Sequence, residues 1–428
     1  MRESSKMATA ETLRTPQAGD NSVQAFNVER VRADFPVLSQ SVHGKPLVYL
    51  DSGASAQKPT AVLEAMDEVY RTCYANVHRG AYYFSQHLTD RYEGVRTKVA
   101  RLLNAGSDQE IVFTRNVTEA INLVAHSFGD RLAPGDEVVI SEMEHHANIV
   151  PWQLLRDRRG IVLKVVPVAD DGSFRLDAYE SMLGPKTRLV AITHVSNVLG
   201  TVTPMKEIIR LAHKAGAPVL VDGAQAVVHG RVDVRDLDAD FYAFTGHKLY
   251  GPTAIGVLYG KRELLQAMPP FLGGGDMIRS VSFAETTYAD PPHRFEAGTP
   301  PIVEAIGLGA AIDYVTAIGQ DAIAAHEAGL LAYATERLSQ VEGLSIIGTA
   351  KEKAAIVSFV LDGIHPHDIG TIVDREGVAI RVGHHCAQPL MERFGVPATA
   401  RASMGLYNTP AEIDLLARAL EKVKDIFG

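Results

Sequence analysis

The chain has 428 residues, 46% of them hydrophobic and 22% charged, with a formal net charge of −9 and two cysteines, Cys73 and Cys386. That composition excludes fibrous, collagenous and wholly disordered classes, and the length fits two or three domains or one large α/β unit. Two distant cysteines make neither a CxxC metal site nor a disulfide framework. No apolar run reaches bilayer-spanning length, and an acidic balance without a basic block gives no reason to expect nucleic acid or membrane as a partner. A reducing, cytoplasmic compartment is expected.

In chain order, residues 1–26 are polar and small and read as a flexible tail. A short helix from Val28 stops before Pro36, and Leu47–Leu50 is a short strand delivering the loop DSGASAQKP. Helices follow over about 60–73 and 88–103, the second on the spacing of Val95, Val99 and Leu102. Seven strand-like runs come next, at 110–114, 137–141, 162–168, 188–195, 218–224, 240–245 and 254–260, with helical stretches between most of them. That alternation predicts an α/β fold with a mainly parallel sheet between helices. The short link before the last run predicts at least one antiparallel strand. After about residue 300 come two long helices (303–318 and 322–341), the strand AAIVSFVL, a helix after Pro366, the strand VAIRVG and a final helix capped by Thr409 with Pro410 in its first position. This second texture predicts a smaller α+β C-terminal domain packed back on the first helix. The expected division is 1–26 as tail, 38–314 as the large domain, and 27–37 with 315–428 as the small one.

Ligands of open α/β sheets bind beyond the carboxyl ends of the strands, and the unusual residues fall there. Thr118 and Glu119 follow the first run, Glu144 to Asn148 the second, and His194, Ser196 and Asn197 the fourth. Asp222 and Gln225 end the fifth, and Thr245, His247 and Lys248 the sixth. Asp222 closes an apolar strand, where it either caps the next helix or pairs with a buried cation. Lys248 at a similar rim could shed its proton and act as an amine nucleophile. Neither GxGxxG after a strand nor GxxxxGK(S/T) is present, which disfavours nicotinamide and nucleoside triphosphate. A lysine, an acid and donors at a helix start suit pyridoxal phosphate.

Thr245-Gly246-His247-Lys248-Leu249-Tyr250-Gly251-Pro252 resembles the lysine motif of fold-type I pyridoxal-phosphate enzymes of the class V aminotransferase and cysteine desulfurase group. Asn76-Val77-His78-Arg79-Gly80, Met143-Glu144-His145-His146-Ala147-Asn148, His194-Val195-Ser196-Asn197, Asp222-Gly223-Ala224-Gln225 and Arg381-Val382-Gly383-His384-His385-Cys386-Ala387 are similar to the group II cysteine desulfurases of the Suf iron-sulfur assembly system. The resemblance spans about Val28 to Gly428. It implies pyridoxal 5'-phosphate on Lys248, which is also the base, with Asp222 on the pyridine nitrogen and His145 stacked on the ring. Gln225 and Asn197 would bond the phenolic oxygen. Thr118, Thr245 and His247 would hold the phosphate, with Thr299 reaching in from the partner of a homodimer. Arg401 would clamp the substrate carboxylate, with Asn197, His78 and Arg381 beside it. The family commonly has Gly-Thr-Thr-Glu before the phosphate helix; here Asn116-Val117-Thr118-Glu119 stands there, one hydroxyl donor fewer.

A lone cysteine is usually a buried small hydrophobe. Cys386 stands instead in a polar, glycine-containing turn beside histidines, which favours an exposed, reactive thiol. The resemblance makes it the sulfur acceptor: L-cysteine gives L-alanine and a persulfide on Cys386, with His145 as a proton donor or acceptor near the sulfur. The short span to Arg401 matches the compact cysteine loop of the group II type, and the resemblance implies a dedicated acceptor protein of the Suf system, with its scaffold complex as a further partner. Cys73 reads as a structural thiol, and no metal is expected, since it would occupy the working sulfur. Selenocysteine lyase activity, another fold-type I aminotransferase or kynureninase-like lyase, and a non-catalytic scaffold are the alternatives. The intact Lys248, Asp222 and Cys386 disfavour the last.

Overall fold

The computed structural model describes residues 26–427. Seven short apolar runs form one sheet: β1 (Ile111–Thr114), β2 (Glu137–Ser141), β3 (Val162–Val166), β4 (Thr187–Thr193), β5 (Val219–Asp222), β6 (Phe241–Thr245) and β7 (Gly256–Gly260). Their spatial order is β1-β7-β6-β5-β4-β2-β3. Strands β2 to β6 pair in parallel, and β7 runs antiparallel to both β6 and β1, as the short link before it predicts. Every residue of β1, β5, β6 and β7 is buried. The cause is the two-sided cover: Val219, Val221, Tyr242 and Phe244 enter one apolar cluster, while Leu220, Ala243 and Leu258 enter the other. Continuous rather than alternating hydrophobicity follows from burial on both faces. The chain reverses its direction across the sheet between β2 and β4, and their carboxyl ends flank the crevice where ligands of such sheets bind.

Helices α1 (Val28–Ala33), α2 (Thr60–Thr72), α3 (Tyr83–Leu102) and α4 (Val117–Ser127) precede or interrupt this sheet. Helix α3 begins five residues before its expected start, because Tyr83 and Phe84 in its first turn face outward and leave no inward period to read. Asn27 caps α1, its side chain accepting from Arg30 N at 3.0 Å. Apart from Phe26, whose ring stacks on His326, the expected N-terminal tail lies outside the described residues.

The C-terminal part supplies α5 (Ile302–Ile318), α6 (Gln320–Ser339), α7 (Pro366–Arg375) and α8 (Pro410–Phe427), and a second, four-stranded antiparallel sheet. Its strands are β8 (Leu344–Ile347), β9 (Ile356–Leu361), β10 (Arg381–Gly383) and β11 (Thr399–Ser403), in the order β8-β9-β11-β10. Glu412 receives the Thr409 N–H at 2.9 Å at the start of α8. The same carboxylate group receives Arg32 of α1 at 2.9 Å, which ties the two ends of the described chain together.

One expected strand divides. Val378–Ala379 pairs in parallel with Val48–Tyr49, and only Arg381–Gly383 joins the second sheet, opposite Thr399–Arg401. The chain changes partner at Ile380, so the segment after Tyr49 is drawn alongside both Arg381 and Arg401.

Close approach between β7 and the start of α4 depends on Gly256. A Cβ there would stand 2.5 to 2.9 Å from the backbone atoms of Asn116. Gly256→Ala is expected to push the α4 N-terminus out of position and to lower stability by about 1–3 kcal/mol, measured by urea unfolding.

Candidate active site

A cavity of about 270 Å³ opens at the carboxyl ends of β4, β5 and β6, beside the N-terminus of α4 and the turn after β10. Lys248 and Asp222 form its floor. Lys248 is half-buried; burial pushes its amine down to about 8, with Asp222 opposing the fall and Arg401 adding to it. Burial pushes the Asp222 carboxyl up, and the charge of Lys248 opposes that rise. Ala224 N–H donates to Asp222 Oδ1 at 3.0 Å. Each group therefore limits the desolvation cost of the other, and the amine is held close to a free, nucleophilic state.

His145 lines the same cavity after β2. Burial first, and then the charge of Lys248, push it down to about 3, so the ring is neutral. Its Nδ1 accepts the Ala147 N–H at 3.0 Å, which assigns the ring proton to Nε2. The preceding Glu144 is completely buried. Ser141 Oγ lies 2.5 Å and Thr193 N 3.1 Å from its Oε1, and Asn148 Nδ2 lies 2.7 Å from its Oε2. Burial pushes this carboxyl up to about 8. Asn148 in turn receives Trp152 Nε1 at 3.0 Å, so a buried polar network fixes the turn that presents His145.

At the other end, the Asn116 side chain caps α4 by accepting from Glu119 N at 2.9 Å. Thr118, Thr245 and His247 border the cavity there. His247 is held neutral, pushed down to about 4 by burial and then by Lys248. Thr245 Oγ1 is buried with no hydrogen-bond partner among the described residues. A helix N-terminus beside an unpaired buried hydroxyl is a set of donors suited to a phosphate. With an acid and a desolvated lysine on the floor and a neutral imidazole beside them, the residues present fit pyridoxal phosphate. Gln225 borders the cavity with its Nε2 donating to Gly53 O at 2.8 Å.

The rim opposite Lys248 comes from the second sheet. Arg401, 2% exposed, donates from Nη1 to Asn197 O at 2.8 Å and from Nη2 to Asp51 Oδ1 at 3.1 Å. Asp51 also receives Arg381 through Nε and Nη2, the latter at 2.9 Å. Asn197 Nδ2 donates to His385 O at 2.7 Å. His385 and Cys386 are both left-handed, with φ of 51° and 56°, a conformation costing an L-residue about 1–2 kcal/mol each. Three bonds offset that cost: Asn197 to His385 O, His146 N–H to Cys386 O at 2.6 Å, and Gln388 N–H to His146 Nε2 at 3.0 Å. The loop is thus anchored on both sides, with an exposed Cys386 lining the cavity.

The structure brings together Lys248, Asp222, His145, Gln225, Thr118, Thr245, His247, Asn197, Arg381, Arg401 and Cys386. Thr299 and His78 lie elsewhere on the same chain. Thr299 borders a separate hollow with Tyr92 and Phe295, and His78 Nε2 is 2.8 Å from Glu93 Oε1. Cys73 is buried, its sulfur accepting from Arg91 Nη1 at 3.5 Å. Sequence reasoning placed Glu144 at a strand end without giving it a role, and missed Gly53 and Asp51. The rule that polar groups just past strand ends face the crevice would have singled out Asp51, had its two-residue strand been given a partner.

The chain matches the family "Aminotransferase class-V" over residues 48–416. It belongs to that family. It is 56% identical over 408 residues to a cysteine desulfurase from Dickeya dadantii (strain 3937), covering 95% of this chain and 99% of the relative. Among solved structures, the cysteine desulfurase CsdA (S-sulfonic acid) from Escherichia coli superposes with a TM-score of 0.88 at 41% identity, covering 94% and 100% of the two chains. The apo cysteine desulfurase from Thermococcus onnurineus NA1 gives 0.88 at 40% identity, covering 93% and 98%. Within the class-V family the chain therefore belongs to the cysteine desulfurases, with a fold-type I α/β architecture.

Asp51→Ala would leave the buried Arg401 guanidinium without its carboxylate. Stability is expected to fall by about 3–5 kcal/mol, and by less for Asp51→Asn, read as the midpoint shift in chemical denaturation.

Proposed function

We propose that the cavity binds pyridoxal 5'-phosphate on Lys248 and removes sulfur from L-cysteine, giving L-alanine and a persulfide on Cys386. The observation that carries this reading is the placement of a desolvated Lys248, an opposing Asp222 and an exposed Cys386 on one cavity. Asp222 would hold the pyridine nitrogen, His145 would lie against the ring and Gln225 would serve the phenolic oxygen. Asn197, which borders the same cavity, would serve both that oxygen and the substrate. Thr118, Thr245 and His247 take the phosphate, completed in a homodimer by Thr299 of the second copy. His78, which lies outside this chain's own cavity, would reach substrate only across that boundary.

When bound, pyridoxal phosphate withdraws electrons from the substrate Cα and makes its proton and the neighbouring carbon–sulfur bond labile. Arg401 orients the substrate carboxylate with its planar fork, aided by Asn197 and Arg381. Lys248 Nζ removes the Cα proton and returns protons to carbon. The Cys386 sulfur attacks the substrate sulfur as the Cβ–S bond breaks. The electron pair of that bond stays with carbon, which is protonated to alanine, and the sulfur remains on Cys386. His145, with its proton on Nε2, exchanges a proton on the sulfur side.

Because the Cys386 loop is anchored at both ends, the persulfide is delivered to a protein that comes to it, by thiol exchange. A sulfur acceptor of the Suf system, feeding iron-sulfur cluster assembly, is the partner this reading favours. Among the described residues no single helix is long and apolar enough to cross a membrane, and we assign the enzyme to the cytoplasm. The division at 38–314 and 27–37 with 315–428 makes the small domain the carrier of the cysteine loop.

Two outcomes test the reading. Cys386→Ala should remain yellow and trap cofactor on Lys248 with borohydride, yet lose alanine production from cysteine; alanine formed at the wild-type rate would refute the persulfide route. Uptake of cofactor by the apoprotein needs the unprotonated amine. Its rate should therefore rise about tenfold per pH unit and level off above about pH 8, instead of climbing on toward the ordinary lysine value.

A further inference from the structure

A second cavity, of about 200 Å³, shares Val195 with the first and lies between the end of β4 and the short helix Ala226–His229 on one side and α6 with the Lys353 segment on the other. Its polar groups have no part in the chemistry proposed for Lys248. His229 Nδ1 lies 2.6 Å from Glu327 Oε2, with side chains 7% and 3% exposed. The other nitrogen, Nε2, is buried without a hydrogen-bond partner among the described residues, as is Glu327 Oε1.

Lys353 borders the same space and donates to the Gly348 carbonyl. Burial alone pushes its amine down to about 8, so it is mostly charged at neutral pH. Arg231 adds an exposed positive charge at the margin. His194 is neutral, pushed down to about 4 by burial, with Nδ1 3.2 Å from the Tyr242 hydroxyl. Glu327 is the one carboxylate among the lining residues and is already engaged by His229. Positive charge is therefore in excess, and a buried imidazole nitrogen lacks a partner, a costly arrangement in a low-dielectric space.

We infer that this cavity is a binding site for a small oxyanion, a carboxylate or phosphate, held by His229 Nε2 and the Lys353 ammonium. The anion supplies the partner that Nε2 lacks. Its charge offsets the positive charge that Lys353 and Arg231 bring to the cavity. The site would be distinct from the phosphate cradle at α4, and its occupancy does not depend on the desulfurase reading. It is nevertheless close to it: Ala354 N–H donates to Gly200 O at 2.8 Å and Val202 N–H to Glu352 O at 2.9 Å. These bonds tie the Lys353 segment to the loop that carries Asn197.

The test is thermal unfolding of the cofactor-loaded protein at constant ionic strength, with acetate or inorganic phosphate replacing chloride. At least one oxyanion should raise the wild-type Tm saturably, by about 2 °C or more. Which of the two does so assigns carboxylate or phosphate. Lys353→Met and His229→Gln should each abolish the rise. An equal rise in both variants, or only a linear, non-saturating rise in the wild type, overturns the site. Saturation-transfer NMR of acetate, together with phosphorus line broadening for phosphate, reads occupancy directly. Loss of binding in whichever variant folds supports the site, and binding unchanged in it refutes the site.

Discussion

The segment from Tyr49 to Lys58 is the seam on which this molecule depends. Leu50 exchanges backbone bonds with Ala379 and Ser403, and Gly53 N–H reaches Ser403 Oγ at 2.8 Å. Gly53 O takes the Gln225 amide, and Ala56 N–H bonds His247 O at 3.0 Å, beside Lys248. Asp51 between them holds both Arg401 and Arg381. One carboxylate and a few backbone bonds thus fix the second sheet against the carboxyl ends of the first, and the cavity is the space left between them.

Around that seam the electrostatics follow from burial. Burial strips water from Lys248, Asp222 and Arg401, so each charged form is disfavoured and survives by facing an opposite charge. The imidazoles have no such compensation and stay neutral. The result is a floor with an amine near its free state and an acid on the same cavity. The cysteine side differs in kind. There the backbone carries the cost, in two successive left-handed residues, and a ring of hydrogen bonds from His146, Asn197 and Gln388 pins the turn. An exposed thiol on a fixed loop suits exchange with a partner that docks, and does not suit delivery over a distance.

Much of this was legible in the chain. Short apolar runs alternating with amphipathic stretches specify a doubly covered parallel sheet, because only burial on both faces tolerates them, and polar residues past their ends mark the crevice. Strand β7 was legible as antiparallel because its link is too short for a crossover helix. The early turn of α3 was not, since its outward-facing aromatics carry no inward period. The division of 378–383 was not, because partner choice in a strand depends on which edges are free nearby, and that is a property of the assembled sheets.

The sequence by itself determined the family, the sheet that carries Lys248 and Asp222, and the turn that carries Cys386, since local periodicity and motif spacing encode them. Only the tertiary structure decided that Asp51 joins two arginines 330 and 350 residues away, that Glu144 is enclosed as a buried acid behind His145, and that a second polar cavity backs the first. Those facts arise from burial and charge pairing between segments remote in the chain, and no local pattern records which remote neighbour a side chain will meet.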